Sequence, residues 1–215
     1  MGRRNDVPAG EIAASVVAGM RHLLIEQGVW ESVRAALEKA DPGAERALTV
    51  DPTKVEWVSA APYGQMMDAL LAVVGETRAF ELGRERIHQS AQAGAFAPIV
   101  RSWARSFGHN PEEFLRLTTH AWSTQTRGIG TFKLAESRPG RVRFVMADAG
   151  RVILEHAGWR RFLCGYGTGL LDLIGRRGSC VISVSSAGTT IDATYAYDDA
   201  PATTTGPAAR VGPSQ

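Results

Sequence analysis

The chain has 215 residues, 44% of them apolar and 21% charged, with a formal net charge of +2; this suits one packed domain and excludes disordered, collagenous and disulfide-scaffold classes. No apolar run approaches the roughly 18 residues of a membrane span, and the opening MGRRNDVPAGEIAAS puts no apolar segment behind its two arginines, so a cytoplasmic chain without a secretory leader is expected. Residues 1–100 hold 10 basic and 13 acidic groups and residues 101–215 hold 14 and 9, a basic second half too dilute for a nucleic-acid stripe.

Residues 1–10 read as a flexible N-terminus. From Glu11, the apolar positions Ile12, Val16, Met20 and Leu23–Leu24 recur at helical spacing and predict a helix that Gly28 stops. Trp30 to Ala40 gives a second helix, ended by Asp41-Pro42-Gly43. Two prolines frame a loop from Asp51 to Pro62, holding the apolar patch Val55, Trp57 and Val58. Pro62 suits the first turn of a helix through Met66, Met67, Leu70, Leu71 and Val74, which Gly75 closes. Further helices are expected over 77–93 and 96–107. In Asn110-Pro111-Glu112-Glu113 the Asn caps, the Pro takes the first helical position and the acids lie in the first turn. That helix carries Phe114, Leu115, Leu117 and Trp122 to about Arg127-Gly128.

The texture then changes. Residues 130–136 and 142–146 alternate around the turn Arg138-Pro139-Gly140 and predict a hairpin. A long helix is expected over 150–174, then a second hairpin from Cys180–Val184 and Thr190–Tyr197. Residues 198–215, rich in Pro, Ala, Thr and Gly, read as a disordered tail. The fold class is therefore α+β: a helical N-terminal two-thirds followed by a β-β-α-β-β four-stranded antiparallel sheet. Residues 11–197 form one domain with helices on one side of that sheet.

No chemistry-bearing constellation stands out. Gly165-Tyr166-Gly167-Thr168-Gly169 lacks the spacing of a dinucleotide fingerprint and follows a helix rather than a strand, so close helix packing explains it better. His22, His88, His109, His120 and His156 are scattered, and Cys164 and Cys180 are isolated, so no metal site is written locally. No serine sits in a nucleophile elbow, and Glu112-Glu113 and Asp198-Asp199 are a helix start and a tail. A recognition helix at 111–125 would present two glutamates to phosphates, which argues against DNA reading. The chain is thus expected to be non-enzymatic, with no catalytic residue and no metal. Its aromatic residues serve a core, and some can also line an apolar pocket.

The spaced series Ile25-Glu26-Gln27-Gly28-Val29-Trp30, Val55-Glu56-Trp57, Ala61-Pro62-Tyr63, Leu82-Gly83-Arg84, Asn110–Leu115 with Trp122, and Gly158-Trp159 resembles an uncharacterised paralogous family of about 200 residues known mainly from myxobacterial genomes. The likeness covers about residues 11–197. That family is similar to the haem-nitric-oxide-binding and 4-vinyl-reductase-type ligand-binding domains. The resemblance implies a sensory module, in signalling, that holds a small hydrophobic molecule between helices and sheet. Candidate pocket residues are Tyr63, Met66, Met67, Leu70, Phe114, Trp122, Phe132 and Trp159. Haem is a minority reading: His120 stands about where the haem-binding relatives keep their ligand, but the Tyr-x-Ser-x-Arg motif that grips the propionates is missing. No cofactor is therefore expected. Nor does the final turn Ser185–Thr189 carry the cysteine of the vinyl-reductase type. The alternative is an interaction module for a signalling protein or a homodimer, using the helix bearing Gly158, Gly165 and Gly169 or a weakly guarded final strand.

Overall fold

A computed structural model of the chain describes residues 10–49, 51, 53, 56–92, 97–107 and 110–198. Residues 1–9 of the N-terminal stretch expected to be flexible, residues 199–215 of the expected tail, Val55 and His109 lie outside the described residues. The chain opens in a strand, β1 (Glu11–Ala13), where the apolar spacing predicts the start of a helix; α1 (Ala14–Glu26) follows it. Partners distant in sequence explain the difference. Strand β1 runs antiparallel between β2 (Trp57–Ser59) and β3 (Thr126–Arg127), with Ile12 opposite both Val58 and Thr126. A central strand satisfies its backbone on both sides and buries Ile12, and this outweighs the helical period.

Helix α2 (Trp30–Ala40) has the predicted bounds, and α3 (Ala44–Leu48) is a short addition. Helix α4 (Ala60–Gln92) joins the two predicted helices end to end across Gly75, whose φ of 77° and ψ of 171° interrupt the helical path. Only glycine adopts that backbone without strain. After α5 (Ala97–Phe107) comes α6 (Pro111–Gln125), whose N-terminus is built as expected. The Glu113 backbone N–H donates to Asn110 Oδ1 at 3.3 Å. Asn110→Ala is expected to cost about 1 kcal/mol. A domain of this size should then melt about 2–4 °C lower; an unchanged melting temperature would mean the cap contributes nothing.

The C-terminal part is β4 (Lys133–Arg138), β5 (Arg141–Met146), α7 (Arg151–Glu155), α8 (Ala157–Leu173), β6 (Gly178–Val184) and β7 (Ile191–Tyr197). The strands form an antiparallel sheet in the order β4-β5-β7-β6. The α+β architecture is therefore the predicted one. Val142, Phe144, Met146, Ile191, Ala193 and Tyr195 alternate onto its buried face.

The single long helix predicted over 150–174 is two helices that break at His156. The break is held from α4: Asp68 Oδ1 accepts from the Gly158 N–H at 2.7 Å, and Asp68 Oδ2 meets His156 Nδ1 at 2.6 Å. A carboxylate thus serves the orphan donors at the N-terminus of α8. Helix α8 then lies backbone to backbone on α4. A Cβ at Gly158 would overlap the Met67 carbonyl, and one at Gly165 would overlap the Phe80 carbonyl. The glycine string is thus spent within the fold, and those residues are not free for a second copy of the chain.

The expectation of a weakly guarded final strand is corrected. Strand β7 lies between β5 and β6, and the edge belongs to β6. Two of the edge amides are already engaged by α8: Cys180 N–H donates to Thr168 Oγ1 at 3.0 Å and Ile182 N–H to Cys164 Sγ at 3.2 Å. Burial pushes both thiols above their ordinary range, so they act as small core groups. Among the described residues no helix is long and apolar enough to cross a membrane.

Candidate functional site

Between α1, α4, α5, α6 and α8 the fold leaves a cavity of about 560 Å³. Voids in well-packed interiors rarely exceed a water molecule, whereas small-molecule sites span about 300–1,000 Å³. Helix periodicity accounts for its walls. On α6, Phe114, Thr118, Ala121, Trp122 and Gln125 recur at helical spacing on the lining face, and on α8 so do Trp159, Phe162, Leu163, Tyr166 and Leu170. Helix α5 closes the cavity loosely. It brings Val100 and Trp103 to the wall, while Ile99 remains 42% exposed.

Aromatic contacts stiffen one wall. Tyr63 meets Trp159 edge-on at 5.0 Å between ring centroids, and Trp122 lies 6.2 Å from Trp159 and 5.6 Å from Phe132. The Trp122 indole N–H donates to the Gly130 carbonyl at 2.9 Å, which ties α6 to the loop before the sheet. Beyond the Trp122–Phe132 pair is a second void of about 70 Å³, reaching Phe144 and Tyr195 on the sheet.

The polar groups of the large cavity are few. Arg86 Nη1 donates to Ser90 Oγ at 3.0 Å, and Arg86 makes no ion pair with any described residue. Its guanidinium lies over Gly19 of α1, where a Cβ would collide with it. Tyr63 and Tyr166 line the same space and make no hydrogen bond through their hydroxyls among the described residues. Tyr166 keeps part of its surface open beside the cavity it lines. Burial raises both phenols above their usual range, opposed by the Arg86 charge, so they stay protonated. His120 sits on the flank of α6, exposed, and is the one imidazole among the described lining residues.

Of the residues proposed from sequence, Tyr63, Phe114, Trp122, Trp159 and His120 meet at this cavity. Met66, Met67 and Leu70 do not. They are fully buried core on the first half of α4, from which Tyr63 reaches the cavity, while Arg86, Ile87 and Ser90 line it from the half after Gly75. Phe132 lines the smaller void. Sequence reasoning missed Arg86, Ser90, Tyr166 and the role of α5. The periodicity of α8 could have placed Tyr166 beside Trp159, seven residues apart, whereas nothing local marks Arg86. No group of three or more His, Cys, Asp or Glu side chains among the described residues could hold a metal ion.

No protein-family model matches the chain, and no curated protein matches it in sequence. Solved structures do. An Fe(II) unliganded H-NOX protein from K. algicida superposes with a TM-score of 0.58 at 8% identity, covering 88% of this chain and 98% of that one. An H-NOX protein studied for haem distortion gives a TM-score of 0.56 at 11% identity over 86% of this chain and 95% of that one. An oxygen-binding H-NOX domain related to soluble guanylate cyclases, in its oxygen complex, gives 0.55 at 10% identity over the same shares. These neighbours overturn the expectation of a domain without a cofactor, since haem and Fe(II) belong to the proteins that this chain resembles in shape. Across nearly their whole length, this chain has the fold of the H-NOX domains.

Proposed function

We propose that this chain is a non-enzymatic sensory domain that binds a small molecule in the α6–α8 cavity, with haem the cofactor suited to it and a signalling protein reading the loaded state. The observation that carries the proposal is the cavity itself: about 560 Å³, apolar and aromatic in its walls, in a fold shared with haem domains. The donor set fits a haem. His120 supplies an imidazole at the wall, Arg86 an unpaired guanidinium, and the aromatic residues a flat apolar surface. The two phenols, kept protonated by burial, are poor competitors for iron. Haem bound here would supply an open iron position for a diatomic gas. The chain's own contribution is to exclude water and to hold the imidazole.

Reconstitution of purified protein with hemin, followed by absorption spectroscopy of the ferrous form, tests this. One haem per chain with a histidine-ligated spectrum is expected. His120→Ala should weaken haem retention by about a hundredfold, near 2.7 kcal/mol, and added imidazole should restore the spectrum. Failure to take up hemin would reject haem, and a spectrum unchanged by His120→Ala would reject His120 as the ligand.

A further inference from the structure

We propose that Arg86 is the anion anchor of the cavity and that it selects ligands with an apolar body and a carboxylate head. This rests on the reading of the cavity as a ligand site and narrows the class of ligand. The walls come largely from Ile, Val, Leu, Phe and Trp side chains, which favour an apolar body. A guanidinium on such a wall is ordinarily matched by a carboxylate of the protein, because an unpaired charge beside apolar surface is costly. Arg86 has none among the described residues; its one side-chain partner is the Ser90 hydroxyl, at 3.0 Å. Several other arginines are matched by carboxylates, Arg84 to Asp172 at 2.9 Å, Arg78 to Glu85 at 2.7 Å and Arg143 to Asp192 at 2.7 Å, while Arg101, Arg160 and Arg161 donate to backbone carbonyls.

Two further features aim the site at an anion. Tyr63 and Tyr166 bring phenolic O–H donors without partners among the described residues to the same space, near enough to feel the Arg86 charge. No carboxylate is among the described lining residues, so none of them repels a negative head. Gly19 leaves on α1 the space that the guanidinium occupies, which fixes its place against the wall. A carboxylate there takes a two-pronged, charge-assisted pair from Arg86. The carboxylate of a tetrapyrrole and that of a long-chain fatty acid offer the same head.

The test measures binding to the full chain by fluorescence or calorimetry. Its probes are metal-free protoporphyrin IX and its dimethyl ester, and a 16-carbon fatty acid and its methyl ester. Metal-free porphyrin removes iron ligation from the result. The wild-type protein is expected to prefer the free acid over the ester by about 10- to 100-fold in at least one pair. Arg86→Gln should erase that preference, and Arg86→Lys should retain part of it. A preference confined to the porphyrin pair assigns the head to a tetrapyrrole, and one confined to the fatty-acid pair to a lipid. Equal binding of acid and ester by the wild-type protein overturns the anchor and leaves the ligand site standing, as does a preference that survives Arg86→Gln. No binding of any of the four probes overturns both. The acid–ester comparison needs no variant, so a misfolded Arg86 mutant cannot decide it.

Discussion

Gly165→Ala should destabilise the domain by about 3 kcal/mol and lower its melting temperature by about 6–12 °C. Helix propensity alone predicts the reverse. Alanine in place of an interior helical glycine stabilises by about 0.8–1 kcal/mol, and Gly165 lies in the middle of α8. Packing decides the sign. The new Cβ would run into the Phe80 carbonyl and come within 3.1 Å of the Arg84 backbone nitrogen. Both obstacles are backbone on a long helix, so neither can rotate away as a side-chain tip would. Helices α4 and α8 would have to part, and that gap would weaken the burial of Trp159 and Phe162. Thermal denaturation gives the answer directly: a rise of 2–4 °C would mean the helices separate at little cost and propensity prevails. The Asp68 bridge to Gly158 and His156 lies on the same seam, so its contribution should shrink in this variant.

What was legible in the sequence was what is local. The Asn110-Pro111-Glu112-Glu113 start of α6 and the bounds of α2 rest on signals within a few residues, and the fold uses them unchanged. Two hairpins around a helix were readable from alternation and turn residues, because antiparallel neighbours in sequence usually pair. Long-range pairing was not. Strand β1 exists because residues near 58 and 126 flank it, and the break between α7 and α8 exists because Asp68 reaches it from 88 residues away. The site divides along the same line. Aromatic residues announce themselves, so Tyr63, Trp122 and Trp159 were candidates, whereas Met66 and Met67 share a helix with Tyr63 but turn to the core. Arg86 is one arginine among many, and only its place on the cavity wall, without a carboxylate among the described residues, gives it meaning.

Filling the cavity separates a binding site from a packing defect. Ala121→Trp places an indole from the middle of the lining face of α6 into the 560 Å³ space. Two consequences should appear together. Binding of hemin, or of whichever acid probe the wild-type protein takes, should fall at least about a hundredfold, close to 3 kcal/mol, because the body of the ligand and the indole compete for one volume. Stability without ligand should hold or rise by about 1–2 kcal/mol, since the indole covers apolar wall that is otherwise wet or empty. A domain of this size would then melt about 2–8 °C higher. The opposite signs matter, because a substitution that merely damages the fold lowers both quantities. Undiminished binding with raised stability would place the ligand elsewhere and leave the cavity a void. Lost binding with raised stability would identify the α6–α8 cavity as the site, since the protein would be better packed and yet unable to hold its ligand.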